Sequence, residues 1–105
     1  MDISVVIPVY NEEKNVTLLH EKLVKVLNSL KKKYEIIFID DGSIDNTYNE
    51  LLHLKKVKII KFRKRFGQTA AMDAGFKSSQ GRIIISMDGD LQNDSEDIPK
   101  LLEKF

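Results

Sequence analysis

The segment Arg82–Met87 restricts the possible folds of this chain most strongly, because it is an almost unbroken apolar run. Successive side chains of a strand point to opposite faces, so a strand that is apolar throughout is buried on both faces, as in a parallel sheet. The run is followed at once by Asp88-Gly89-Asp90-Leu91-Gln92, which brings two carboxylates and an amide to the end of the strand. In open α/β sheets, ligands bind just beyond the carboxyl ends of the strands. The sequence therefore predicts a ligand site directly after this strand.

A divalent cation is the ligand that this segment favours. Mg²⁺ and Mn²⁺ take oxygen ligands and keep open positions that nucleotide phosphates fill. Asp88 and Asp90 supply two carboxylates, and Gly89 lets the backbone bend or approach a ligand closely. The alternative is a polar turn that only closes the strand, and the short motif by itself does not decide between the two.

Strand-like and helix-like patterns alternate along the whole chain without a linker or a repeat, which predicts a single α/β domain over residues 1–105. The expected architecture is a three-layer α/β/α, Rossmann-like fold with a mainly parallel sheet. Apolar and β-branched runs predict four strands, at Ile3–Ile7, Glu35–Ile39, Val57–Phe62 and Arg82–Met87. Helical spacing predicts four helices, which begin near Asn11 or Glu12, near Asp45, at Gly67 and at Ser95.

Individual residues predict several boundaries. Pro8 is expected to stop the first strand, and Glu12 and Glu13 to lie in the first turn of the first helix, where carboxylates favour the helix dipole. Gly81 is expected to end the third helix as a left-handed cap. The second helix is expected to turn three residues toward the core: Tyr48, Leu51 and Leu52.

Composition excludes several classes of protein. With 42% hydrophobic and 31% charged residues, the chain is typical of a soluble globular domain with a sizeable core. A net charge of +1 provides no general attraction to nucleic acid, and the absence of cysteine excludes disulfides and thiolate chemistry. No apolar stretch approaches the roughly 20 residues that span a bilayer, and Met1-Asp2 leads directly into a strand. The expected location is the cytoplasm.

Polar clusters from distant parts of the sequence are expected to meet, because the loops after parallel strands lie at one edge of the sheet. These clusters are Pro8–Glu12, Asp40–Ser43 and Asp88–Gln92, with Gly67-Gln68 beside them. Tyr10 is suited to stack on a base and Pro8 to shape the pocket wall. An aspartate of the second cluster is suited to accept hydrogen bonds from a base or a ribose, and the helix start at Gly67 to donate N–H groups to a phosphate.

Each of these clusters also has a purely structural interpretation, which stays open. Asn11 and Glu12 suit the start of a helix, and Asp40–Ser43 suits a turn with a cap. The basic stretch Lys55–Arg65 suits solvated faces around a strand, with contact to anionic lipid or to a pyrophosphate as the alternative. His20 and His53 lie in helical patterns without ligand-like neighbours, and neither is expected to bind metal.

Four motifs together resemble the signature sequences of family 2 glycosyltransferases in order and spacing. They are Ile7-Pro8-Val9-Tyr10-Asn11-Glu12-Glu13, Asp40-Asp41-Gly42-Ser43-Ile44-Asp45-Asn46-Thr47, Phe66-Gly67-Gln68-Thr69-Ala70-Ala71-Met72 and Met87-Asp88-Gly89-Asp90-Leu91-Gln92. The Asp-x-Asp-Leu-Gln form is similar to that of the polyisoprenyl-phosphate sugar transferases, such as the dolichyl-phosphate mannosyltransferases and the undecaprenyl-phosphate glycosyltransferases.

The resemblance implies a GT-A fold whose N-terminal half binds a UDP- or GDP-sugar together with Mg²⁺ or Mn²⁺. It implies that the metal assists departure of the nucleoside diphosphate and that a lipid phosphate is the acceptor in the full-length enzyme. The nucleotide-binding residues implied are Pro8, Tyr10, Glu12, Asp40, Asp41, Gly67 and Asp88. The metal ligands implied are Asp88, Asp90 and Gln92.

The chain departs from the family pattern at Arg65, where many relatives have Asn, and at Ser95, where many have Pro. It also stops at Phe105, before the acceptor-binding half that carries the catalytic base region in relatives. We therefore expect a donor-binding half without a catalytic residue of its own, whose parent protein acts at the cytoplasmic face of a membrane. If Ile83–Ile85 forms an exposed apolar edge strand, self-association is expected as well.

Three other classes of protein share parts of this sequence pattern. A hydrolase or phosphotransferase with Asp88 as nucleophile and Asp90 as acid usually carries that pair after the first strand, not the fourth. A receiver-like signalling module would use Asp40 and Asp41, but the strand-end Asp and later Lys that it needs are not visible. A dinucleotide-dependent oxidoreductase would need Gly-x-Gly-x-x-Gly after the first strand, where Pro8-Val9-Tyr10-Asn11 stands instead. A non-catalytic nucleotide-binding module remains the alternative.

Overall fold

In a computed structural model of the chain, which describes residues 1–87, strands and helices alternate as the sequence pattern predicts. The strands are Ile3–Val9 (β1), Tyr34–Asp40 (β2), Val57–Lys61 (β3) and Ile83–Ser86 (β4). The helices are Val16–Ser29 (α1), Thr47–Leu52 (α2) and Gln68–Ser78 (α3). The helix predicted from Ser95 to Phe105 lies outside the described residues.

The four strands form one parallel sheet in the order β3-β2-β1-β4. β1 and β2 lie at its centre, and their valine, isoleucine and phenylalanine side chains are buried on both faces, which explains why these strands are apolar at successive positions. Alternate residues of the same strand belong to different layers: Val5 and Ile7 pack with α1, whereas Val6 packs with α3. The predicted three-layer α/β/α class with a parallel sheet is therefore confirmed.

Helix α3 lies very close to the sheet, because it carries small residues where it meets β1 and β2. Ala71 is fully buried, and a Cβ atom added to Gly75 would lie 2.3 Å from Cγ1 of Val6 and 2.9 Å from Cδ1 of Ile39. A larger side chain at position 75 would push the helix away from the sheet.

The order of the strands creates a crevice at one edge of the sheet. From β1 the chain moves outward through β2 to β3, and α3 then returns on the other face to place β4 on the far side of β1. The direction of the connections therefore reverses between β1 and β4. Ligands of open α/β sheets bind at the carboxyl ends of the strands where this reversal occurs.

Four sequence expectations about element boundaries are wrong. Pro8 does not stop β1, which continues to Val9; the sequence rule failed because proline only prevents pairing through its own N–H. Helix α1 begins at Val16, so Glu12 and Glu13 lie in a preceding turn and no acidic residue lies in its first turn. Leu52 is 55% exposed, since the short α2 buries only Thr47 and Leu51.

The fourth wrong expectation concerns Gly81, whose φ is not positive. Its lack of a side chain serves a close approach instead: a Cβ atom there would lie 2.5 Å from the backbone N of Ser4 and 2.7 Å from C of Ile3. A glycine that allows two backbones to meet and a glycine that allows a left-handed turn look alike in a sequence.

Candidate functional site

The loops that follow β1 and β2 are joined by hydrogen bonds at the carboxyl edge of the sheet. Asn11 N–H donates to Oγ of Ser43 at 2.9 Å, and Ile44 N–H donates to Oδ1 of Asn11 at 3.0 Å. Asn11 has a φ of 53°, in the left-handed region that asparagine tolerates better than most residues. This reciprocal pair fixes the two loops against each other beside the crevice.

A second link between the same loops passes through Thr47, the buried first residue of α2. Its Oγ1 accepts the Glu12 N–H at 2.8 Å and donates to Oδ1 of Asp45, which also accepts the Thr47 N–H at 2.9 Å. Desolvation raises the pKa of Asp45, but the hydrogen bonds from Thr47 and from the Glu13 N–H outweigh it, and the net pKa lies below its ordinary value. Asp45 is therefore a charged acceptor that orders the start of α2.

Asp41 joins the loop after β2 to the start of α3. Its carboxylate accepts the N–H groups of Phe66 at 2.8 Å and of Gly67 at 3.1 Å, and the side chain is 4% exposed. Gly42, with a φ of +73°, lies so close to this loop that an added Cβ atom would be 2.3 Å from C of Lys64. Asp41 thus holds the loop that precedes α3, without capping the helix by a side-chain hydrogen bond, and a phosphate at Gly67 would compete with this carboxylate.

Asp40 is the last residue of β2 and is fully buried. Its Oδ1 accepts the Ser43 N–H at 2.9 Å, whereas its buried Oδ2 accepts no hydrogen bond from the described residues. A buried carboxylate oxygen without a donor is costly, so it marks a place where a further donor is expected.

Tyr10 and Arg65 meet across the carboxyl edge. The Arg65 guanidinium carbon lies 4.1 Å from the centre of the Tyr10 ring, in cation–π contact. Tyr10 comes from the loop after β1 and Arg65 from the loop after β3, so this contact joins the strands on either side of β2. A base that stacks on the same face of Tyr10 would take the place of Arg65.

Pro8 and Glu12 lie on the same side of the molecule as Tyr10. Pro8 is half-buried in β1, one residue before its end. The Glu12 carboxylate accepts a hydrogen bond from Nδ2 of Asn15 at 2.7 Å, inside the turn that precedes α1. The structure therefore brings together the predicted residues Pro8, Tyr10, Glu12, Asp40, Asp41 and Gly67, whereas Asp88, Asp90 and Gln92 lie outside the described residues.

This arrangement agrees with a comparison of the sequence with known families. The sequence model of the family described as "Glycosyl transferase family 2" matches residues 4–105. The chain belongs to the family 2 glycosyltransferases.

Curated relatives of this family 2 glycosyltransferase include enzymes named for polyprenyl phosphates. The chain is 39% identical over 113 residues to a dodecaprenyl-phosphate galacturonate synthase of Rhizobium johnstonii, with 100% of this chain and 32% of the relative matched. It is 40% identical over 105 residues to an undecaprenyl-phosphate 4-deoxy-4-formamido-L-arabinose transferase of Proteus mirabilis, with 95% and 32% matched.

A solved structure shares the fold. Glucosyl-3-phosphoglycerate synthase from Mycobacterium tuberculosis, in complex with Mn²⁺, UDP and glucosyl-3-phosphoglycerate, superposes with a TM-score of 0.79 at 23% sequence identity. The superposition covers 97% of this chain and 38% of that one. The chain thus spans about a third of the length of the relatives that it matches.

Within residues 1–87 of this glycosyltransferase, no group of three histidine, cysteine, aspartate or glutamate side chains is arranged to hold a metal ion. In the same range, no helix has the length and apolar character that crossing a bilayer requires.

Sequence reasoning missed the residues that hold the loops together. Thr47 was assigned no role, although a threonine two residues after an aspartate is typical of an ordered helix start. Asn11 and Ser43 were placed in polar clusters that were expected to meet, but the hydrogen bonds between the two loops were not predicted. In the sequence, the contact between Arg65 and Tyr10 was indicated only by the departure from the family pattern at position 65.

Proposed function

We propose that this chain is the donor-binding part of a glycosyltransferase that binds a UDP- or GDP-sugar with Mg²⁺ or Mn²⁺ and transfers the sugar to a polyisoprenyl phosphate. The observation that carries the proposal is the reversal of connection direction between β1 and β4. Tyr10 follows one of these strands, and Met87, whose N–H donates to O of Val6 at 3.0 Å, follows the other. The names of the Rhizobium and Proteus relatives support the class of acceptor.

The contacts at the carboxyl edge suggest different roles for the neighbouring residues Asp40 and Asp41. Asp41 positions the loops, because its carboxylate already accepts two backbone N–H groups. Asp40 is assigned to the base or ribose, because its Oδ2 lacks a donor among the described residues. Since Asp40 is fully buried, the group that reaches it is small, such as the N–H of a base edge or a bridging water.

The remaining nucleotide contacts follow from position. Tyr10 is proposed to stack on the base once Arg65 leaves the ring face, with Pro8 and Glu12 bordering the base and ribose. The N–H groups of α3 that follow Gly67 are proposed to receive a phosphate, because the Gly67 N–H is engaged by Asp41.

The metal is proposed to bind Asp88, Asp90 and Gln92, with Asp88 also near the ribose. Their oxygen atoms fit a hard cation, and the chain enters this segment from Met87, which is 5% exposed and hydrogen-bonded beside β1. When bound, such a metal neutralises the charge that develops on the leaving nucleoside diphosphate.

Calorimetric titration of UDP and of GDP, each with and without Mn²⁺, tests the donor site directly. We expect one nucleotide to bind in a metal-dependent manner and Asp90→Asn to abolish that dependence. Asp73→Asn, an exposed position on α3 whose carboxylate pairs with Lys77 at 3.0 Å, is the matched control and is expected to bind as the parent chain does. Binding of neither nucleotide would contradict the proposal for this chain.

The stacking role of Tyr10 is tested separately. Tyr10→Ala is expected to weaken nucleotide binding about tenfold, since stacking of an aromatic side chain on a base contributes roughly 1–3 kcal/mol. Tyr10→Phe keeps the ring and is expected to bind almost normally. Equal affinities for the alanine variant and the parent chain would remove Tyr10 from the site.

Sugar transfer itself is proposed for the longer protein, at the cytoplasmic face of a membrane. The 105-residue chain is expected to bind donor and metal but to transfer sugar poorly or not at all. A transfer assay with labelled UDP- and GDP-sugars and a polyisoprenyl phosphate tests this, and detectable turnover by the chain alone would refute it.

A further inference from the structure

A second buried polar cluster lies at the amino edge of the sheet, opposite the proposed donor site. Its centre is Glu35, the second residue of β2, which is 7% exposed. The side chains around it come from β1 (Ser4) and β3 (Lys58). The connection from α3 to β4 completes the cluster, so four parts of the chain that are distant in sequence meet at one carboxylate.

The contacts of Glu35 are short and specific. Its Oε2 accepts the hydroxyl of Ser4 at 2.5 Å and the Gln80 N–H at 2.6 Å, and its Oε1 lies 2.8 Å from Nζ of Lys58. The Ser4 hydroxyl oxygen in turn accepts the Gly81 N–H at 2.8 Å. Two consecutive N–H groups of the connection are thus held, one directly and one through Ser4.

The connection from α3 to β4 packs so closely against β1 that no side chain fits at Gly81. A Cβ atom on Gly81 would lie 2.7 Å from Oγ of Ser4, the atom that links Gly81 to Glu35. Two residues later β4 begins, and the Ile83 N–H donates to O of Asp2 at 3.1 Å. The position of Gly81 therefore decides which residue of β4 lies opposite each residue of β1.

Strand β4 has few other constraints in the described part of the chain. It has four residues and pairs there with β1 alone, from Ile3 opposite Ile83 to Val6 opposite Ser86. A shift of register by one residue would move every side chain of β4 to the other face. Its apolar sequence does not prevent this, because Ile83, Ile84 and Ile85 are identical.

Glu35 favours one register of β4 against β1, which the three identical isoleucines do not. A buried carboxylate is tolerated only where donors and a counter-charge surround it. In a shifted register, the Gln80 and Gly81 N–H groups would move away, so Oε2 of Glu35 would keep only the Ser4 hydroxyl and the Ser4 oxygen would lose its donor. The observed register supplies both N–H donors.

We propose that Glu35 is a positioning residue that sets the register of β4 against β1 and so fixes where Met87 leaves the sheet beside the donor site. The register part stands on the contacts above, whereas its effect on the donor site rests on the proposed function. Glu35 lies at the opposite end of β2 from Asp40 and acts only through β4.

Residue-specific amide hydrogen exchange tests the register part without any ligand. Glu35→Gln and Ser4→Ala are compared with Leu51→Ala, a fully buried α2 position outside the cluster, at urea concentrations that give the three variants equal global stability. We expect exchange at Gln80, Gly81 and Ile83 to accelerate at least tenfold more than at Ile37 in the two cluster variants, and evenly in the control. Even acceleration in the cluster variants would overturn the proposal, and Ser4→Ala decides if Glu35→Gln does not fold.

The Mn²⁺-dependent nucleotide titration tests the effect on the donor site. Glu35→Gln is expected to lose at least tenfold in affinity under conditions where Leu51→Ala, equally folded, binds as the parent chain does. Unchanged affinity together with accelerated β4 exchange would overturn the effect on the site. If the parent chain binds no nucleotide, the proposed function fails, and the exchange pattern still decides the role of Glu35 in the register.

Discussion

The two edges of the sheet use the same device in different ways: a buried carboxylate that accepts N–H groups from a distant connection. At the amino edge, Glu35 accepts two donors and faces the Lys58 ammonium, so its charge is balanced. At the carboxyl edge, Asp41 also accepts two N–H groups, but its neighbour Asp40 keeps one buried oxygen without a donor from residues 1–87. Oε1 of Glu35 also lacks a hydrogen bond of good geometry, but the Lys58 ammonium pairs with it at 2.8 Å, whereas no cation among residues 1–87 pairs with Asp40.

Backbone conformation differs between the edges in the residues that adopt positive φ. At the carboxyl edge these are Asn11, Gly42 and Gly67, residue types that tolerate positive φ, and they lie in the loops that meet there. At the amino edge, Lys31 and Lys56 have positive φ in the connections that lead into β2 and β3. Beside the carboxyl-edge loops, Ile44 is 85% exposed and Phe66 is 58% exposed.

Substitution of two glycines, one at each edge, is expected to lower stability more than the other variants do. Gly81→Ala is expected to destabilise the protein by about 3 kcal/mol, because the added methyl group meets backbone atoms of the central strand β1, which cannot move. Urea unfolding measures the change. A loss below about 1 kcal/mol would mean that the connection before β4 is less tightly held than its contacts indicate.

At the carboxyl edge, Gly42→Ala is expected to cost somewhat less, about 2 kcal/mol, although its φ of +73° is also unfavourable for alanine. The atoms that the methyl group meets belong to the loop at Lys64, which can move away. The same variant is expected to lose nucleotide binding, since the loop that leads to the start of α3 moves with it. Calorimetry and urea unfolding on one sample separate the two effects, and intact binding would contradict the proposed site.

Asp41→Asn is expected to cost about 1 kcal/mol, because an amide oxygen still accepts the Phe66 N–H but the charge is lost. Nucleotide affinity is expected to fall more than stability does, because the start of α3 loosens. Asp2→Asn is the comparison variant, as the Asp2 carboxylate accepts the Lys33 N–H at 2.9 Å at the opposite edge of the sheet. Equal losses of affinity in the two variants would show that Asp41 has no special place at the site.

The pH dependence of stability is expected to report on Glu35 at the amino edge. Burial raises the pKa of Glu35, but the Lys58 ammonium, the Ser4 hydroxyl and the Gln80 N–H outweigh it, so the folded pKa lies below the ordinary value of 4.5. A depressed folded pKa contributes stability that is fully present above the unfolded pKa and is lost as the pH falls below it. Unfolding free energy measured from pH 6 to about pH 3 is expected to fall less steeply in Glu35→Gln than in the parent chain.

Self-association through β4 is the prediction with the smallest expected effect on stability. Ile84 is 44% exposed on this strand, and among residues 1–87 β4 pairs with β1 alone, which leaves the backbone groups on its other side without a strand partner in that range. The mass from light scattering is expected to rise with concentration, and Ile84→Lys to reduce that rise with little change in unfolding free energy. A monomeric mass at high concentration would contradict the prediction.

Much of the fold could be predicted from local pattern. The four strands were placed to within two residues at either end, because their apolar β-branched runs are short and clearly bounded. The start of α1 was misplaced by about one turn, since Asn11, Glu12 and Glu13 suit a helix start as well as the turn that they form. The site loops were recognised, but hydrogen bonds such as that from Asn11 to Ser43 join residues 32 positions apart and leave no local signal.

The sequence by itself determined the fold class and the family, because both depend on the order of apolar runs and on the motifs that follow them. The tertiary structure alone decided how the two adjacent aspartates are engaged: Asp41 accepts the N–H groups of Phe66 and Gly67, and Oδ2 of Asp40 has no donor among residues 1–87. It also decided that Gly81 serves a close approach and that Glu35 joins three strands and a connection. These roles depend on distances between atoms far apart in the chain, and such distances exist only after the sheet has formed.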